Sequence, residues 1–188
     1  MHMRIKRLTP AFAAALVVTG CASPATNATA TASITRAPAA AANTHVTLYS
    51  INSDGPRFQA IVTGAVGDHG QAVSVYPDGR VDPQHDSDLS MRLTRGSFLL
   101  DGAALDQRVV TAFGHWPGNP ATCSGHITVT APVPVVTGSG TGAYRGISGA
   151  LTLTATVDEI DVTSGCTATG RFLAQVIVIT GAGTVRTR

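Results

Sequence analysis

The chain has 188 residues, of which 44% are hydrophobic and only 13% charged. That length makes one domain the natural expectation. Three basic residues, Arg4, Lys6 and Arg7, crowd the first ten positions, and the ten that remain are all arginine against 11 acids. Beyond residue 20 the net charge is therefore close to −1, and no run of basic residues suggests nucleic-acid binding.

The N-terminus reads as a processing segment. Behind the basic residues, Ala11–Val18 is an apolar run of 8 residues. This is far short of the ~20 needed to span a bilayer. Val18-Thr19-Gly20-Cys21 follows directly and resembles a bacterial lipobox, an aliphatic residue and two small residues before a cysteine. It implies a lipoprotein signal peptide over 1–20 and a diacylated Cys21 as the first mature residue. Two acyl chains anchor stably where one does not. The expected location is the outer face of the bacterial cell membrane, or secretion if cleavage falls later, after Ala30 or Ala32.

Residues 21–44 are rich in Ala, Thr and Pro and carry one charge, Arg36. Such a stretch cannot bury enough apolar surface to offset its ordering entropy, so it reads as a tether. The β-domain is expected over 45–188.

Within it, His45–Ile51, Arg57–Thr63 and Gln71–Tyr76 read as strands, separated by Asp54-Gly55-Pro56 and the loop Gly64–Gly70. Leu89–Thr94 alternates apolar and polar residues, and Gly96–Asp101 continues or pairs with it. Ala103–Phe113 is the single stretch with helical character. Cys123–Thr130, Val133–Thr137, Ala150–Asp158 and Thr169–Thr180 read as further strands. Leu151, Leu153, Ala155 and Val157 alternate with Thr152, Thr154, Thr156 and Asp158, the clearest two-residue period in the chain. Phe172–Thr180 is almost continuously apolar, as in a strand covered on both faces. Eight to ten short strands fit an all-β sandwich or closed barrel.

Two cysteines remain after Cys21. In an oxidising compartment Cys123 and Cys166 read as a disulfide, with two buried thiols as the alternative. Between them lies Gly138–Gly149, GSGTGAYRGISG. A phosphate-binding glycine loop needs a helix after it. Here a Thr-rich strand follows, so Gly140, Gly142, Gly146 and Gly149, with Tyr144, read as a structural corner and no cofactor site is expected.

That stretch, running into ALTLTATV, resembles the glycine-rich corner of the allene oxide cyclase and dirigent-like barrels. Gly140, Gly142, Tyr144, Gly146 and Gly149 fill the matching positions, and Ser139 replaces one glycine. Residues 89–183 resemble secreted actinobacterial members of that class. The resemblance implies an antiparallel closed β-barrel of about eight strands with an apolar lumen, often a homo-oligomer. It also implies the alternative of a cyclase- or isomerase-like enzyme acting on a hydrophobic substrate in that lumen. None of the family's active-site residues can be carried over, so the catalytic residues stay unknown.

No other constellation has the spacing of a reactive or metal site. Asp78, Asp82, His85, Asp86 and Asp88 lack the glycine and distal glutamate of a calcium loop and read as a solvated loop. Cys123-x-x-His126 with His115 is not a common zinc pattern, and no metal site is expected. His69, His115 and His126 show no partner, and Asp158, Glu159 and Asp161 read as a solvated strand end. The functional expectation is an envelope lipoprotein whose barrel binds an apolar small molecule or an envelope partner without catalysis.

Overall fold

A computed structural model describes residues 41–51, 56–83, 88–115, 118–162, 166 and 172–187. The signal peptide, Cys21 and nearly all of the tether lie outside the described residues, as do His85 and Asp86. The described domain is an all-β antiparallel sheet with one helix. Its strands are β1 (Ala42–Ile51), β2 (Arg57–Gly64), β3 (Asp68–Val75), β4 (Asp88–Leu93), β5 (Gly96–Leu100), β6 (Ser124–Pro134), β7 (Ser148–Asp161) and β8 (Phe172–Arg186). Helix α1 (Ala103–Gly114) joins β5 to β6. The strand order is β5-β4-β3-β2-β1-β8-β7-β6, so the first and last strands pair in the middle of the sheet.

Several boundaries differ from the sequence expectation. Strand β1 starts at Ala42, three residues early, and β3 takes in Asp68 and His69 from the expected loop. The two strands expected over 123–137 are one continuous strand, because the alternation of Ile127, Val129, Ala131 and Val133 runs through Pro132. Strand β8 is not covered on both faces: Val176 is 37% exposed and Thr180 faces water.

The sheet curls around its apolar face. Leu48, Ala72, Met91, Leu100, Val133 and Leu153 are fully buried there, with Phe98, Leu151 and Ile179 beside them. Strand β7 carries the expected alternation, Leu151, Leu153, Ala155 and Val157 inward and the threonines outward. The interior of the curl is thus packed with side chains rather than lined as an open lumen.

The expected closed barrel is not formed. No ladder joins the edge strands β5 and β6 among the described residues, where one isolated bridge links Leu100 to Val135, just past β6. Two features account for the gap. Strand β5 has 5 residues against 11 in β6. Pro132 and Pro134 also withhold N–H donors, as edge-strand prolines do.

Two devices cover the seam instead. The chain after β6 lies along β5: Asp101 N donates to Pro134 O (2.9 Å), Val136 N to Leu99 O (2.9 Å), Thr141 N to Ser97 O (2.8 Å) and Ala143 N to Arg95 O (2.9 Å). Farther along, α1 packs on β6. It buries Leu105 in the core, and Arg108 Nη1 donates to Thr130 O at 2.7 Å.

Candidate functional site

The glycine corner is the first group to place. Gly138, Gly142, Gly146 and Gly149 all have positive φ, +79°, +54°, +79° and +131°. At Gly142 a Cβ would also collide with the Arg95 carbonyl, so glycine is required for the corner to meet the β4–β5 hairpin. Gly140 packs against the Tyr144 carbonyl. Tyr144 itself is buried and stands edge-on to Phe98, ring centroids 5.4 Å apart.

The Tyr144 hydroxyl donates to Asp68 Oδ2. Asp68 also accepts from the main-chain N of His69 (2.8 Å) and Arg95 (3.1 Å) and from Thr94 Oγ1 (2.5 Å). Burial opposes its ionisation, but these donors outweigh burial and hold its carboxyl well below the usual range. Burial, together with the hydrogen bond to Asp68, pushes the Tyr144 hydroxyl up to about 12. The network ties three chain segments together.

The other end of the strands differs. There β6, β7 and β8 border an open cleft of about 470 Å³, with Asn119 and Ser124 at one side. Its apolar wall is Ile160, Ala174 and Val176, and its polar wall is His126, Asp158, Glu159 and Gln175. It is an open depression rather than an enclosed pocket.

Register explains the polar wall. His126 stands directly opposite Asp158, and Glu159 opposite Gln175. His126 Nδ1 lies 2.7 Å from Asp158 Oδ1, and Thr128 Oγ1 lies 3.1 Å from His126 Nε2. A hydroxyl, an imidazole and a carboxylate in line could in principle activate the hydroxyl. However, the His126 and Asp158 side chains are 61% and 60% exposed. Water competes at every atom, whereas such relays act in water-excluded sites.

Glu159 and Asp161 correct the expectation of a solvated strand end. The inward face of β7 continues past Val157, so both carboxylates are buried, 8% and 1% exposed. Burial pushes the Glu159 carboxyl up. Gln175 Nε2, which donates to Glu159 Oε2, opposes that shift, and the neighbouring Asp161 adds to it. The cleft therefore pairs an apolar wall with a carboxyl that holds its proton more tightly than usual.

The remaining sequence candidates fall elsewhere. Cys123 and Cys166 are disulfide-bonded with Cα atoms 4.9 Å apart, so neither is a free metal-binding thiolate. Asp161 N donates to Cys123 O (2.8 Å), which sets the disulfide beside the carboxylate pair. His69 is an exposed β3 residue, and His115 Nδ1 meets Thr111 O at the end of α1 (3.0 Å). Asp78 pairs with Arg80 at the surface, but Asp82 is fully buried and Asp88 is half-buried, so that cluster is not uniformly solvated. No family model, curated protein or solved structure matches the chain.

Proposed function

We propose that the protein is a cell-envelope lipoprotein whose β-domain binds a small molecule without catalysis, at the cleft between the ends of β6, β7 and β8. The observation that carries this reading is the contrast between the two concave surfaces. The inside of the curled sheet is filled by residues such as Leu48, Met91 and Leu153. The end cleft is open and combines apolar residues with the exposed pair His126 and Asp158. Its exposed carboxylate, Asp158, favours a ligand with an apolar body and a cationic head, while Glu159 faces the sheet interior and is less readily ionised.

Lipid anchoring at Cys21 and kinship with the allene oxide cyclase and dirigent-like proteins belong to the same proposal. The lipobox supports the first. Eight antiparallel strands and the Gly140–Gly149 corner support the second, while the seam between β5 and β6 departs from the closed barrel of that class. A Cys21→Ala variant is expected to leave the membrane fraction; retention there would contradict anchoring.

The ligand reading is tested by thermal denaturation with decyltrimethylammonium, decyl sulfate and decyl maltoside below their micellar concentrations. The ammonium compound is expected to raise the Tm most, and Asp158→Asn/Glu159→Gln to erase that preference. Equal shifts for all three head groups, or an unchanged response in the variant, would overturn it.

A further inference from the structure

Four of the seven described arginines gather at one end of the domain; Arg57 and Arg80 lie at the opposite strand ends and Arg108 in α1. Arg92, Arg95, Arg145 and Arg186 are exposed around the β4–β5 hairpin, the glycine corner and the tail of β8. Among the described residues the only acid there is Asp68, which is buried and hydrogen-bonded. The other described acids lie away from these arginines, at the opposite strand ends, in the connections there or in α1, except Asp101, whose main-chain N meets Pro134 O at the end of β6.

Arg95 is also held in place. Its Nη2 donates to the carbonyls of Val66 and Gly67 (3.1 Å to Gly67), and its Nε lies 3.5 Å from Asp68 Oδ2. Its side chain nonetheless remains 53% exposed. The chain enters the sheet at the same end, where Ala42 pairs with Val185 and Ser148 pairs with Arg186.

From this juxtaposition we infer that the corner end is a basic face that rests on anionic lipid headgroups, with Arg92, Arg95, Arg145 and Arg186 meeting the phosphates. The inference rests on the envelope reading above. Residues 22–41 span at most about 70 Å when fully extended, so a lipid on Cys21 would keep this face within reach of the bilayer. Rotation onto that face turns the acidic end, with its cleft, away from the membrane. Arginine suits the contact because its planar fork binds phosphate in bidentate fashion.

The test uses the full chain carrying Cys21→Ala, so that no acyl chain contributes, and vesicles of phosphatidylcholine alone or with 30 mol% phosphatidylglycerol. Arg92→Gln/Arg145→Gln/Arg186→Gln is compared with its parent; both carry the same N-terminus, so the difference reads the face alone. These side chains are exposed, and circular dichroism checks that the fold is kept. At roughly fivefold per arginine near an anionic surface, the triple variant is expected to bind the anionic vesicles on the order of 100-fold more weakly at 50 mM salt. The gap should close at 500 mM salt through screening. Equal partition of the two proteins into anionic vesicles at low salt would overturn the inference. Failure of the envelope reading itself is read separately, by fractionation of cells carrying the unaltered chain.

Discussion

Asp68 and Glu159 are both withdrawn from water, yet their protons behave in opposite ways. Asp68 is surrounded by donors, so its ionised form is the one the fold stabilises. That stabilisation is present above an unfolded aspartate value of about 3.9 and is lost as pH falls below it. Glu159 has one donor, Gln175, and an acidic neighbour, so the fold favours its neutral form. Its contribution is complete below an unfolded glutamate value of about 4.3 and is lost as pH rises through its higher folded value. Glu159→Gln mimics the neutral acid and keeps the shape. The variant is expected to melt a few degrees above the unaltered protein at pH 7, with the difference shrinking toward pH 4. Calorimetry at the two pH values checks this; a variant that melts lower at pH 7 would show that the charge is compensated in the fold.

At the scale of elements, what was legible in the sequence is what depends on neighbours along the chain. The period of β7 is set by Leu151 to Val157 and needs no partner to be read. Helix α1 was visible because Ala103–Phe113 lacks a two-residue period. The inward placement of Glu159 and Asp161 was also within reach, since it continues the β7 alternation two steps further. It was missed because charge was taken as a sign of exposure. The expected gap at Ala131–Pro132 is absent, and prolines on alternate positions such as Pro132 and Pro134 mark an edge strand. The seam itself was not legible. It depends on the lengths of two strands 24 residues apart, from Leu100 to Ser124, and on how the corner lies along β5. The pairing of His126 with Asp158 is hidden for the same reason, because it requires the β6–β7 register across 32 positions.

For the whole molecule, the packing of the curled sheet decides where a ligand can go. A filled interior leaves no room for the apolar lumen that the barrel resemblance implies, while the loop ends of the three longest strands, β6, β7 and β8, leave a cleft between them. Charge differs between the two sites as well, with four exposed arginines around the glycine corner and Asp158 and Glu159 at the cleft. The disulfide holds the cleft end: it closes a 43-residue separation, for which loop entropy gives roughly 4 kcal/mol. The central claim, that ligands enter the end cleft and not the interior, is tested most directly by nuclear magnetic resonance of the labelled protein titrated with decyltrimethylammonium. The account predicts dose-dependent shifts at His126, Glu159, Ile160, Gln175 and Val176, with Met91, Leu100 and Leu153 unmoved. Shifts centred on Met91, Leu100 and Leu153, with the cleft residues silent, would contradict it.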